Sequence, residues 1–411
     1  MEVVHERCAG LDIHKKKIAA CVRFNERGQI KSKVKSFGTM TDELVELSDW
    51  LHSFGVTHVA MESTGIFWRP IYAILESTFT VLLVNPAHIK AVPGRKTDIR
   101  DCEWIADLLA HGLLKGGFIP PEPIRDLRDL TRYRTSLIDE RTREVNRLYK
   151  LLETTNIKLG SVVSDMRGLS AQAMLKSLLD GITDPDILAE LARGRLRKKL
   201  PELRKALVGR FRPHHRVLLE TILAHIDFLE ETIDDLSKEV AARMAPFAKD
   251  IELLDEVTGV NLRTIESVIA EIGIDMEAFP TEKHIASWAG LCPGNNESAG
   301  KHKSGKTRKG NPYVRRALVQ AAHACINTKN SYLGSQYRRI AKRRGNKKAA
   351  VAVAHSILVI IYHILKHKIP YQDLGPDYFD RINKEHIARY HRRRLEGLGF
   401  RVTIESTEQA A

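Results

Sequence analysis

Residues 8–37 read CAGLDIHKKKIAACVRFNERGQIKSKVKSF. Three strand-forming runs, CAGLDI at 8–13, IAACVRF at 18–24 and KSKVKSF at 31–37, are set apart by polar residues, and Asn25 to Gly28 carries turn chemistry. This spacing predicts a three-stranded antiparallel start. Thr41 and Asp42 then cap a helix running to about Phe54, with Leu44, Leu47, Trp50 and Leu51 on one face. THVAME at 57–62 reads as strand, IFWRPIYAILE at 66–76 as helix and TVLLVN at 80–85 as strand. An antiparallel hairpin followed by alternating strand and helix is an α/β layered domain.

Acidic residues fall at the ends of these elements. Asp12 closes the first strand and Glu62 the fourth, and KTDIRDCEWIADLL at 96–109 adds Asp98 and Asp101. At i,i+3 on a helix those two share a face, about 5 to 6 Å apart. Two bare carboxylates so close repel, and a hard cation such as Mg²⁺ or Mn²⁺ relieves the repulsion. The alternative is that Thr97 is an N-cap and the aspartates complement the helix dipole. An open sheet presents ligands at the carboxyl ends of its strands, which makes one cluster of the four acids.

The chain has 411 residues, enough for two or three domains, and 65 basic against 51 acidic residues give a net charge of +14. Such a balance points to a polyanion, either nucleic acid or an anionic membrane. Cys8, Cys21, Cys102, Cys292 and Cys325 lie far apart without a CxxC pair, which fits a reducing cytoplasm and argues against structural zinc. MEVVHERC shows no signal peptide. The longest apolar stretch, AAVAVAHSILVIIYHIL at 349–365, is short for a span and interrupted by His355, Ser356 and His363. It reads as a buried helix, so no membrane partner is expected.

Beyond Pro120 and Pro121 the character changes. Leu127, Leu130, Arg134, Leu137, Arg141, Val145, Leu148 and Leu152 trace a stripe along a helix over 125–156, and 216–244 repeats Leu, Ile and Val at near-heptad spacing. The pair suggests an antiparallel coiled-coil arm, a device for dimerisation. Between them, 193–216 holds ten Lys or Arg against one Glu, a bias that suits phosphate contacts to DNA or RNA. IELLDEVTGVNLRTIESVIAEIG at 251–273 has the helix, glycine turn, helix pattern of a helix-hairpin-helix, with Asn261 where a second glycine is usual, a residue that tolerates the left-handed conformation better than most. A plain αα-hairpin has the same pattern.

A second chemical stretch is WAGLCPGNNESAGKHKSGKTRKGNPYVRRALVQAA at 288–322. Lys301, Lys303, Lys306, Arg308, Lys309, Arg315 and Arg316 occur there without an acid between Lys301 and Arg316. Lys309 to Asn311 make a turn before Pro312, a residue suited to the first turn of a helix. Arg343 and Arg344 belong to a third cluster, RRIAKRRGNKK at 338–348, and RYHRRR at 389–394 makes a basic tail. Four separated clusters imply a long polyanion track.

The order LDIHK, MESTG, NPAHIKAVPGRKTDIRDCEWIADLL resembles the DEDD transposases of insertion sequences, whose N-terminal domain is similar to the Holliday-junction resolvase RuvC. That resemblance implies a ribonuclease H-like α/β domain over 1–120, a coiled-coil arm over 121–250, a mainly α-helical C-terminal domain over 251–370 and a basic tail over 371–411. It gives Asp12, Glu62, Asp98 and Asp101 the role of a metal-binding quartet for Mg²⁺ or Mn²⁺. In the family a serine five residues beyond the proline of a GL-x-P motif is the nucleophile, which here is Ser298. The usual Ser-Gly is Ser298, Ala299, Gly300, and Ser304 before Gly305 is the rival. The resemblance further implies a phosphoserine intermediate and strand exchange on double-stranded DNA. It also implies a guide RNA and a dimer or tetramer whose subunits share active sites. A metal-only junction nuclease and a catalytically silent nucleic-acid scaffold are the competing readings.

Overall fold

The computed structural model describes residues 3–26, 29–63, 65–86, 101–294, 296–298 and 300–404; for 296–298, 302 and 303 only the backbone is described. The chain forms two compact units, Met1–Ile119 and Pro120–Ala411.

The first unit is built on a five-stranded sheet of order β3-β2-β1-β4-β5. Strands β1 (Arg7–Ile13), β2 (Ile18–Glu26) and β3 (Gln29–Phe37) form the expected antiparallel start, while β4 (His58–Glu62) and β5 (Thr80–Val84) run parallel to β1. Strand β1 is covered on both sides, which is why its sequence reads as an unbroken apolar run. Ala9, Leu11 and Ile13 face one core with Leu44, Leu47 and Leu51 of α1 (Thr41–Ser53) and Ile71 and Leu75 of α2 (Trp68–Leu75). Cys8 faces the other core with Ile105, Leu108 and Leu109 of α3 (Asp101–Ala110).

Helix α3 lies unusually close to β1. A Cβ at Gly10 would stand 2.3 Å from the Cys102 carbonyl oxygen and 2.4 Å from the Ala106 nitrogen, so only glycine permits this contact. The Arg23 guanidinium on β2 donates to the Asp107 carboxylate and fixes the helix from a second strand. One local expectation is corrected. The cap of α1 is Met40, whose backbone N–H donates to Glu43 Oε2 at 2.9 Å, and Thr41 and Asp42 are already helical. Thr97 lies outside the described residues.

The second unit is helical. Helices α4 (Glu122–Thr154) and α9 (Pro213–Met244) run antiparallel, with Leu137 of α4 packed among Leu229 and Ile233 of α9 and an Arg243–Asp126 ion pair of 3.1 Å at one end. At the opposite end Leu148, Leu151 and Leu152 join Leu219, Leu223 and Ile226 in a core completed by α5 (Leu159–Val162), α6 (Leu169–Leu179), α7 (Pro185–Glu190) and α8 (Leu200–Leu207). The first half of α4 packs on α11 (Leu262–Ile272), which follows α10 (Ala248–Asp255). Next come α12 (Glu282–Trp288), the hairpin β6 (Asn296–Ser298) and β7 (Lys301–Ser304), α13 (Pro312–Ala324) and α14 (Tyr332–Arg344). Helix α15 (Asn346–His367) is, among the described residues, the one helix long and apolar enough to cross a membrane, and 56% of its apolar window is buried within the protein. Two short helices, α16 (Tyr378–Arg381) and α17 (Lys384–Glu396), run through the basic tail.

Replacing Gly10 by Ala is expected to lift α3 off β1 and destabilise the first unit by about 1–3 kcal/mol, the usual cost of overpacking. Chemical denaturation followed by circular dichroism checks this, and an unchanged midpoint would show that α3 does not need the contact.

Candidate active site

The geometry of α3 gathers three of the four expected acids. Side chains alternate along a strand, so Asp12 shares its face of β1 with Gly10, and Glu62 shares its face of β4 with Ala60. Both are the α3 face, because Gly10 meets Cys102 and Ala60 packs with Ile105. The parallel register pairs Leu11 with Met61, so Asp12 and Glu62 leave the ladder at the same level. Asp101 opens α3, which runs antiparallel to β1 above them: Cys102 and Ala106 lie on Gly10, while the amides of Val4 and His5 donate to the Ala110 carbonyl. Asp12, Glu62 and Asp101 therefore lie on the α3 side of the sheet, toward the carboxyl end of the central parallel strands.

Burial, and then the charges of Glu103 and Asp12, push the Cys102 thiol above its ordinary range, which marks Asp12 as a neighbour of the first turn of α3. The Asp12 carboxylate is 23% exposed and stands 3.1 Å from His14 Nε2. Asp98 lies outside the described residues. Among the described residues no three His, Cys, Asp or Glu are close enough to hold a metal ion. By donor chemistry the set fits a divalent metal, since carboxylate oxygens are what Mg²⁺ and Mn²⁺ prefer.

The expected nucleophile, Ser298, ends β6 opposite Lys301 of β7. Gly300, at φ 72°, makes the turn between them. The rival Ser304 accepts a hydrogen bond from the Lys306 amide at 3.2 Å, the local backbone contact typical of loop serines. The hairpin is closed below by a Pro293–Thr307 bridge and by the Gly294 amide on the Lys306 carbonyl. Beneath that, Gly290 and Gly310 press backbone on backbone: a Cβ on Gly310 would come 2.2 Å from the Gly290 nitrogen.

Of the expected phosphate contacts, Lys301, Lys306, Arg308 and Lys309 are exposed along the hairpin and its return. Only the backbone of Lys303 is described. Arg315 donates to the Gly290 carbonyl and, at 2.8 Å, to Thr307 Oγ1, so its guanidinium holds the hairpin base. Arg316 makes a two-pronged ion pair with Asp139 at 2.6 and 2.5 Å. Arg343 and Arg344 are exposed in the last turn of α14.

Under the hairpin sits a polar cluster that periodicity alone does not reveal. Glu271 of α11 is 1% exposed and takes Arg132 through both oxygens at 2.6 and 2.9 Å, Arg128 at 3.2 Å and the Asn311 side-chain amide at 2.7 Å. Asn311 in turn caps α13, accepting from the Tyr313 and Val314 amides. Arg134 and Glu266, both buried, pair at 2.5 Å. The legible signal is that Arg134 and Arg141 interrupt an otherwise apolar stripe. Asn261 is also corrected: it is extended at φ −125° and caps α11 through Thr264, while the left-handed residue of that turn is Gly259.

Comparison with known proteins matches residues 9–157 to the transposase family DEDD_Tnp_IS110 and residues 251–338 to the transposase family IS116/IS110/IS902, together more than half of the chain. The chain belongs to the IS110-type DEDD transposases. It is 26% identical over 305 residues to the 43.6 kDa protein of insertion element IS110 from Streptomyces coelicolor, covering 69% of this chain and 74% of that one. A putative transposase of Sinorhizobium fredii is 28% identical over 329 residues, covering 74% and 76%. Membership makes this transposase an enzyme acting on DNA, with a DEDD domain that implies a ribonuclease H-like fold and the use of a divalent metal. The mixed sheet of the first unit accords with that fold.

Removing the Glu271 carboxylate leaves Arg128 and Arg132 partly buried without it. The variant Glu271→Ala is expected to cost about 3–5 kcal/mol, as for other broken buried pairs. Glu271→Gln, which keeps the shape, should cost less. Urea titration of both variants checks the order.

Proposed function

We propose that this transposase cuts and exchanges the strands of double-stranded DNA, at element ends or junctions and at a target, with an acidic metal-binding quartet and a serine nucleophile. Asp12, Glu62, Asp98 and Asp101 hold Mg²⁺ or Mn²⁺, which when bound would stabilise the negative charge that develops on the reacting phosphoryl oxygens. Ser298 Oγ loses its proton and bonds to phosphorus. The bond from phosphorus to the departing strand oxygen breaks, and that oxygen leaves as a hydroxyl. The exposed Lys301, Lys306, Arg308 and Lys309 neutralise the neighbouring phosphates. The turn between α10 and α11 acts as a helix-hairpin-helix that holds duplex backbone.

The single observation that carries this reading is the placement of Asp12 and Glu62 at the carboxyl ends of β1 and β4, on the face covered by α3, whose first residue is Asp101. The separated basic clusters and the net charge of +14 support a longer nucleic-acid partner, to which a guide RNA of the element contributes. The antiparallel α4 and α9 pair serves as an arm between subunits, so that the acids of one work with Ser298 of another.

Asp12→Asn and Asp101→Asn are expected to abolish strand cleavage in Mg²⁺ while leaving DNA affinity within a few-fold of wild type, measured by parallel cleavage and binding assays. Full cleavage by either removes that residue from the site. Ser298→Ala should lose both cleavage and the covalent protein–DNA adduct seen on denaturing gels. Normal cleavage by it would turn the reading to a metal-only nuclease.

Subunit sharing has its own test. Forced mixed dimers of Asp98→Ala and Ser298→Ala protein should regain part of the wild-type cleavage, because one of their two sites holds both halves intact. Inactive mixed dimers beside active wild-type dimers would place the whole site in one chain.

A further inference from the structure

Between α4, α11 and α13 lies a cleft of about 320 Å³. Five arginines line it, Arg132, Arg134, Arg141, Arg263 and Arg316, against a single carboxylate, Glu271. Two of the five are satisfied, Arg132 by Glu271 and Arg316 by Asp139. The other three have donors to spare. Arg134 is only 2% exposed, yet after Nη2 donates to Glu266 its Nη1 has no acceptor. Arg141 reaches its nearest carboxylate, Glu230, only at 3.7 Å, outside hydrogen-bond range. Arg263 is exposed at the start of α11 and pairs with no carboxylate among the described residues.

Buried polar groups without partners are rare in folded proteins because their desolvation is uncompensated. Here the deficit is of one sign. Burial holds the Arg134 guanidinium below its ordinary range against the pull of Glu266, and burial followed by the charge of Arg167 does the same for Arg141, with Arg263 adding a smaller share to both. An unpaired Arg263 beside the spare N–H of Arg134 and the loosely held Arg141 leaves room in the cleft for an anion. The first turn of α11 faces the same space, with Asn261 and Thr264 in the lining. Its side-chain cap covers the Thr264 amide, while the Leu262 and Arg263 amides have no partner within the helix. Thr135, Ser267 and Gln320 complete the wall, the two hydroxyls donating to the Thr131 and Arg263 carbonyls of their own helices.

The anion must offer several acceptor oxygens in a compact group, because the available donors come from three helices. A tetrahedral phosphate does so, and guanidinium forks match it in geometry. We propose that this cleft seats one phosphodiester group of a nucleic-acid strand, bound by Arg134 Nη1, Arg141 and Arg263 at the N-terminus of α11. The seat deepens the helix-hairpin-helix reading of the α10–α11 turn by adding Arg134 and Arg141 of α4 to it, and it is separate from the serine hairpin. It rests on the reading that the chain handles nucleic acid, and on neither the metal nor the serine chemistry. The strand is DNA or the guide RNA, and the same phosphate chemistry serves both.

The test is equilibrium binding of the full chain to single-stranded DNA, duplex DNA and RNA of equal length over a salt series, read by fluorescence anisotropy. Arg263→Gln and Arg141→Gln are compared with Lys176→Gln, an exposed change on α6 that removes the same charge elsewhere. Each cleft variant should weaken binding about tenfold and lower the log–log salt slope by roughly 0.7 to 0.9, whereas Lys176→Gln changes neither. Arg134→Lys, which keeps the charge beside Glu266 but removes the spare N–H group, should weaken binding similarly. Loss confined to the DNA arms or to the RNA arm identifies the strand. Unchanged affinity and slope in the Arg141→Gln, Arg263→Gln double variant, with wild type binding normally, overturns the cleft alone. Wild-type protein that binds none of the three overturns the wider nucleic-acid reading with it.

Discussion

A carboxylate buried as deeply as Glu271 survives in the folded state only if its charge is matched and its lone pairs are filled, because desolvation otherwise costs more than folding supplies. Its partners come from distant parts of the chain. Arg128 and Arg132 lie on the long helix α4, and Asn311 stands at the base of the serine hairpin. One side chain thereby sets the positions of three segments relative to one another. Arg132 shows that the match is achieved: burial alone would lower its proton affinity, and Glu271 reverses the sign. Its guanidinium also lies 4.4 Å from the Tyr313 ring, which ties α13 to the same group. In the first unit the comparable constraint is steric, the absence of a Cβ at Gly10.

Much of the fold could be read from the sequence because its signals are local. The three antiparallel strands, the alternation that follows and the two long helices each declare themselves within a window of residues. Positions of Asp12 and Glu62 at strand ends followed from the same reading. Contacts between residues far apart in sequence did not. Glu266 and Glu271 have partners on α4 more than 130 positions away, and a glutamate in an amphipathic helix ordinarily reads as part of a solvated face. Arg134 was visible as an anomaly in its stripe, without indication of what satisfied it. Asn261 was misread for a subtler reason: an Asn in a turn serves either as a left-handed residue or as a helix cap, and only the neighbouring backbone decides.

Charge counting had a similar limit. The run 193–216 is overwhelmingly basic, yet Arg197 and Arg204 are engaged by Glu190, and Arg204 also by Asp186, all on the solvent side. Exposed pairs of this kind contribute little to stability and leave part of the run neutralised. In the cleft beside α11 the balance goes the other way, with fewer cations, of which Arg263 is unpaired and Arg134 keeps a spare donor. Pairing, and not density, separates a basic surface from a basic site.

The long helices α4 and α9 have an unequal consequence at their two ends. The core at one end draws all its buried residues from Leu148 to Ile226, a single contiguous stretch. Contacts of short sequence separation form early, and a contiguous core of this kind can close while the ribosome is still adding residues. At the other end Arg128, Arg132 and Arg134 are made first but meet their carboxylates only after residues 266 and 271 have emerged, and Asn311 completes the set later still. Synthesis therefore runs from an autonomous tip to a dependent base, and the hairpin that carries Ser298 takes its final position among the last parts of the unit to be secured.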